Sequence, residues 1–164
     1  ISWIFWLMIL NKIKIFLIIG FINMILFSTL VNSQELRVVD GDTIYLNGEK
    51  IRFTGIDTPE LKQTCIKDDL VNACGVKAKQ MLIDKIGNNT IHCISDGKDQ
   101  YKRILAECFV NNESLSSFIV KSGYAFAYRR YSKKFIPYEN FAKKNKLGMW
   151  SMKFVYPWDY RKNN

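Results

Sequence analysis

Histidine is almost absent from this chain: among 164 residues there is one, His92. Histidine-pair nuclease chemistry and a Ser-His-Asp triad of the usual kind both need imidazole to move a proton, so neither has material here. His92 sits at the start of a strand pattern beside Cys93 and reads as a structural residue. None of the four cysteines falls in a CxxC or CxxH spacing, which excludes an ordinary zinc site. Prolines number three, and neither a low-complexity run nor an internal repeat is present, which argues against disorder and against a repeat array. Acidic residues are scarce in the last quarter, where 121–164 holds 11 Lys and Arg against two Asp and Glu. From 34 to 120 the count is 11 against 13, so the net charge of +9 is concentrated at the C-terminal end.

What is present fits one globular core. Hydrophobic residues make up 48 % and aromatics 14 %, enough for a single domain, expected over 34–164. Residues 1–33 read separately. Lys12 and Lys14 precede a 17-residue apolar run, 15–31, and Val31 and Ser33 are small residues at the places a signal peptidase reads. A secretory signal cleaved before Gln34 is expected, with an uncleaved membrane anchor as the alternative. The apolar stretch before the lysines suits translation from Met8 better than from Ile1.

Export makes an even cysteine count a disulfide signal. Cys65 and Cys74 flank one short loop, while Cys93 and Cys108 lie on two successive apolar segments. Pairings Cys65 with Cys74 and Cys93 with Cys108 are therefore expected, of the three connectivities possible. The basic segment "YRRYSKK", 128–134, interleaves aromatics with cations, a mixture suited to a phosphate backbone with stacked bases and also to a plain solvated surface.

Alternating apolar and β-branched residues predict strands at "LRVVDGDTIYL" and "KIRFTGID" around an "NGE" turn, and at "TIHCIS" and "RILAECFV" around "DGKDQ". Helices are predicted at "GVKAKQMLIDKIG", with Val76, Met81, Leu82 and Ile86 on the inward stripe, at "NNESLSSFIVKSG", capped by Asn112, and at "YENFAKKNKLG", stopped by Gly148. The order gives α+β, mainly β, with short curled strands that suggest a small barrel.

Carboxylates gather at two strand ends. Asp40 and Asp42 flank a glycine, and Asp57 and Glu60 close the next strand. A hairpin would bring them to one face, where like charges repel unless a cation lies between them. With neither thiolate nor imidazole nearby, that cation is expected to be hard, Ca²⁺ above all. Arg52, five residues before Asp57, and Arg103, after the second turn, complete a receptor for a phosphodiester. Glu60 is then free to activate a water.

"VVDGDT", "IRFTGIDTPE", "DQYKRILA" and "ENFAKKNKLGMW" together resemble the staphylococcal nuclease family over about Leu36 to Trp150. The resemblance implies a five-stranded OB-fold Greek-key barrel with three helices, and Ca²⁺ held by Asp42, Asp57 and the Thr58 carbonyl. It implies Glu60 as general base, Arg52 and Arg103 on the phosphate, and DNA and RNA as substrates, cut at the 5′ P–O bond to leave 3′-phosphates. Tyr101, Tyr128 and Tyr131 are the implied substrate-binding tyrosines. Gln100 and Lys102 depart from the family's Asp-Lys-Tyr-Gly-Arg pattern, and the cysteines fit an exported, periplasmic or extracellular subgroup. The chain is expected to be a monomer without an obligate protein partner, touching membrane only if its signal stays uncut. The other reading is a non-catalytic nucleic-acid-binding OB domain. The tail beyond Trp150 lies outside the resemblance, and Trp158 with its neighbours either packs on the barrel or trails from it.

Overall fold

Asn47 and Gly48 have φ of 51° and 82°, and this pair of left-handed residues makes the tight hairpin turn between Leu46 and Glu49. In a computed structural model of the chain, residues 34–163 are described, together with 3, 6–9 and 12–17. The chain divides into two units, 1–33 and 34–164. Described residues of the first unit are helical, and none of the described helices is long and apolar enough to cross a membrane. The expected signal run beyond residue 17 and the cleavage signal at Val31 and Ser33 lie outside the described residues.

The second unit begins with strands β1 (Leu36–Val38), β2 (Thr43–Leu46), β3 (Glu49–Phe53) and β4 (Ile56–Asp57). A small hairpin, β5 (Cys65–Lys67) and β6 (Leu70–Asn72), leads into helix α1 (Cys74–Ile86). Then come β7 (His92–Lys98), β8 (Ile104–Val110), β9 (Glu113–Ser114), α2 (Leu115–Lys121), β10 (Phe126–Ala127), α3 (Ile136–Lys144), a 3-10 turn (Gly148–Ser151) and α4 (Pro157–Lys162).

The main sheet has the order β1-β2-β3-β8-β7, with β9 added to β8. All its pairings are antiparallel except β3 with β8. Its inner face buries Ile44, Ile51, Phe53 and Ala106, which share a core with Leu82 and Ile86 of α1 and with Leu115 and Ile119 of α2.

Several expectations need correction. Among the described residues no ladder joins β1 to β7, so the hydrogen-bonded sheet is mixed and open where a closed five-stranded barrel was expected. "KIRFTGID" is two strands: Gly55 has φ +74°, the chain turns there, and β4 leaves the main sheet to pair with β10. Among the described residues of 34–164 the helices number four, not three, because α4 forms in the tail that the motifs did not reach. Val76 is exposed, since the buried stripe of α1 runs through Cys74, Ala78, Leu82 and Ile86 at intervals of four. Ser114, not Asn112, caps α2, its hydroxyl accepting from the Ser117 N–H. Helix α3 ends at Lys144, before Gly148, which instead packs its backbone against Gly123 so closely that a Cβ would meet the Gly123 carbonyl oxygen at 2.7 Å.

Candidate active site

Register places the first charged groups. Thr43 lies opposite Arg52 in the β2–β3 hairpin, so Asp42, one residue earlier, falls beside the Arg52 side chain. The Arg52 guanidinium donates to Asp42 Oδ1 at 2.5 Å and to Asp57 Oδ1 at 2.9 Å, tying together two strand ends that belong to different sheets. Both carboxylates are buried, Asp42 at 1 % exposure and Asp57 at 0 %. Buried charges of one sign need such partners, because burial unpaired costs several kcal/mol per ion, on the order of magnitude.

Asp42 is held on every side. Its Oδ1 also accepts from the Thr43 hydroxyl, its Oδ2 accepts from the Thr58 N–H at 3.0 Å, and its own N–H donates to Asp40 Oδ1. Burial, opposed by Arg52 and reinforced by the charges of Asp40 and Asp57, pushes the Asp42 carboxyl up to about 7. Burial works against the charge of Arg52, but Asp42 and Asp57 outweigh it and hold the guanidinium above the ordinary arginine range.

Pro59 is buried and redirects the chain after Thr58, so that Glu60 lines the same cleft as Asp42. The Glu60 backbone is fixed from behind. Its N–H donates to the Oε1 of buried Gln63, and the start of α1 comes so close that a Cβ on Gly75 would lie 1.9 Å from the Glu60 carbonyl oxygen. Only glycine fits there. The disulfide Cys65–Cys74 encloses the β5–β6 hairpin that follows Glu60, and Cys93–Cys108 ties β7 to β8, so both expected pairings are formed.

One cation here was not foreseen. Arg161, on the last turn of α4, donates through Nη2 to Asp57 Oδ2 at 2.7 Å, and through Nη1 to Asp57 Oδ1 at 3.1 Å and Glu60 Oε1 at 2.7 Å. Desolvation lowers its affinity for the proton, but Asp57 and Glu60 more than compensate and raise it. Nothing local in "PWDYRK" points toward Asp57, 104 residues away in sequence.

These groups open onto a cleft of about 1030 Å³, which Asp40, Lys50, Arg103, Tyr101, Tyr128, Arg130 and Tyr131 also line. Arg103 does not join the central pair: its guanidinium binds Asp99 at 2.7 Å and rests 5.4 Å from the Tyr101 ring centre. Burial alone would raise the Asp99 carboxyl, but the bonds from Arg103 and from two backbone N–H groups hold it below its usual value. Tyr128 packs against Tyr131 at 5.1 Å and stacks on Trp158 at 6.0 Å, while Tyr101 and Tyr131 are largely exposed. His92 is exposed on β7 and is not among the residues that line the cleft.

The donor set suits a hard cation. Among the described residues no group of three or more His, Cys, Asp or Glu side chains is arranged to hold a metal, so an ion here would rest on Asp42, Asp57, backbone oxygen and water. Oxygen-only sets of that kind favour Ca²⁺ or Mg²⁺ over zinc or copper.

A family model described as "Staphylococcal nuclease homologue" matches residues 50–152, more than half of the chain. An uncharacterised protein of Methanocaldococcus jannaschii is 35 % identical over 146 residues, covering 72 % of this chain and 70 % of its own length. A micrococcal nuclease of Shigella flexneri is 28 % identical over 147 residues, covering 79 % of each. An uncharacterised endonuclease of Haemophilus influenzae is 28 % identical over 125 residues, or 72 % of this chain, which spans 65 % of that relative.

Proposed function

The chain belongs to the staphylococcal nuclease family, and from that premise we propose that it is a calcium-dependent nuclease hydrolysing phosphodiester bonds of DNA and RNA. The observation that carries this reading is the union of Arg52 with Asp42, at the floor of a cleft, and with Asp57, buried beneath it, while the cleft's walls carry Glu60, Arg103 and three tyrosines. Relatives named as nucleases in Shigella flexneri and Haemophilus influenzae support it.

Asp42, Asp57 and the Thr58 carbonyl are the residues that would hold the metal. Bound there, calcium would supply Lewis acidity to the scissile phosphate. The chain's own groups do the remainder. Glu60 takes a proton from a water placed in line with the 5′ oxygen, and that water's oxygen forms the new bond to phosphorus. The bond from phosphorus to the 5′ oxygen breaks, the leaving oxygen gains a proton, and a 3′-phosphate remains. Arg52 and Arg103 face the charge that builds on the phosphoryl oxygens, for which Arg103 must exchange Asp99 for the substrate. Tyr101, Tyr128 and Tyr131 offer ring faces to unpaired bases, which favours single-stranded substrate. Two disulfides support an exported site of action.

Glu60→Gln tests the assignment, with circular dichroism as the control for folding. Cleavage of single-stranded DNA is expected to fall by about 10² to 10⁴, the usual range for loss of a general base. Activity near wild type would remove Glu60 from that role, and undiminished cleavage in excess chelator would remove the metal. Retained binding with no cleavage in the wild-type protein itself would favour the non-catalytic module.

A further inference from the structure

The match to the family model ends at residue 152, yet the chain beyond it reaches into the centre of the cleft. Three contacts fix its path. Lys153 and Ile66 exchange backbone hydrogen bonds at 2.8 and 2.9 Å, buried Gln63 donates to the Val155 carbonyl at 2.6 Å, and Trp158 stacks on Tyr156 at 4.6 Å and on Tyr128. Helix α4 therefore has a built position, and Arg161 leaves its last turn toward Asp57 and Glu60.

The oxygens of Asp57 are divided unequally. Arg52 reaches only Oδ1, whereas Arg161 holds Oδ2 and shares Oδ1. Arg52 is also tethered to Asp42 and is the less exposed of the two, at 21 % against 40 % for Arg161. A dication that takes Asp57 as ligand must therefore displace Arg161 before it displaces Arg52. A dication bound at Oδ2 repels the guanidinium held on that same oxygen, and it does so with twice the charge of an arginine. Once displaced, the guanidinium also gives up Glu60 and stays tethered beside Arg52, Arg103 and Arg130. A bound phosphodiester is the anion that such a forked donor fits best.

We propose that Arg161 is a third arginine of the catalytic site, supplied from beyond the family domain: it occupies Asp57 and Glu60 until the metal arrives, then turns to the substrate phosphate. This rests on the nuclease reading above and adds a residue to it. Metal loading thereby releases the base and arms the phosphate receptor in one exchange.

Calorimetric titration with calcium chloride, without nucleic acid, tests the first half. Arg161→Gln removes the competing charge and is expected to bind calcium about tenfold more tightly than wild type, the scale of one lost charged hydrogen-bonding partner. At saturating calcium its kcat/KM on a short single-stranded oligodeoxynucleotide is expected to fall about tenfold or more. Arg161→Lys keeps the charge without the fork and is expected to lie between the two on both readouts. A merely structural ion pair would leave calcium affinity unchanged or weaker and lower only the melting temperature. That result, or tighter calcium binding with undiminished cleavage, overturns this inference while a calcium-dependent wild type keeps the nuclease reading intact. A wild type inert with calcium overturns both.

Discussion

The side-chain amide of Gln63 joins two distant backbones: its oxygen accepts from the Glu60 N–H at 3.1 Å, and its nitrogen donates to the Val155 carbonyl at 2.6 Å. With 1 % exposure, this residue has no water to replace either bond. Gln63→Leu would remove both bonds at once, and hydrogen bonds to the half-buried Glu60 and the more exposed Val155 contribute about 0.5 to 1.5 kcal/mol each. A loss of roughly 1 to 3 kcal/mol is expected from urea unfolding. Because the same bond sets the backbone of Glu60, kcat should fall more than KM rises. A urea midpoint within error of wild type would show that the loop and tail do not depend on this amide.

Asp42 gives the metal-free protein an unusual dependence on pH. Its carboxyl is raised by burial to about 7 in the folded chain, against about 4 unfolded, so between these values the folded state carries the extra proton. The stability this provides is complete below about pH 4 and is lost as pH rises through about 7. In chelator, wild type is therefore expected to lose stability relative to Asp42→Asn over that window, and denaturant midpoints from pH 4 to 8 measure the difference. Parallel curves would mean that the buried carboxyl titrates as an ordinary aspartate.

The two disulfides should separate stability from site geometry. Cys93 and Cys108 are paired across neighbouring strands and 15 residues apart, which in the chain-entropy model corresponds to about 3 kcal/mol. Replacing both by alanine is expected to lower stability by that order with kcat preserved. Cys65 and Cys74 are nine apart and enclose the hairpin that follows the Glu60 loop, with Cys74 next to the glycine that touches the Glu60 carbonyl. Their double replacement is expected to lower kcat as well, and equal kinetics for the two variants would break that distinction.

How much of this was legible in the sequence depended on distance along the chain. Asp42, Arg52, Asp57 and Glu60 lie within 19 residues, and a tight Asn-Gly turn fixes their register, so motif and hairpin logic brought them together. The division of "KIRFTGID" into two strands was harder to see, because it depends on Gly55 turning and on β10, some 70 residues later, capturing β4. Arg103 lines the cleft but is held by Asp99, a pairing that the spacing of four inside a polar turn signals. Arg161 had no local signal. Its position follows from aromatic packing of Phe154, Tyr156 and Trp158 on Phe126, which is a property of the assembled core.

That packing yields the last prediction. Phe126 lies at 0 % exposure on β10 with Phe154, Tyr156 and Trp158 around it at 5.2, 5.0 and 6.0 Å, and Trp158 bridges this cluster to Tyr128 at the cleft. Trp158 is half-buried, so truncation to alanine removes one face of the stack without opening the main core. A loss of about 1 to 3 kcal/mol is expected, below the roughly 3 to 5 kcal/mol of a fully buried aromatic. With its helix loosened, Arg161 spends less time on Asp57, so Trp158→Ala should reproduce part of the gain in calcium affinity expected for Arg161→Gln. In the double variant the two effects should fall short of adding, because they remove the same contact. Full additivity in calorimetry would mean that Trp158 and Arg161 act on the site independently, and that the aromatic stack does not carry the arginine.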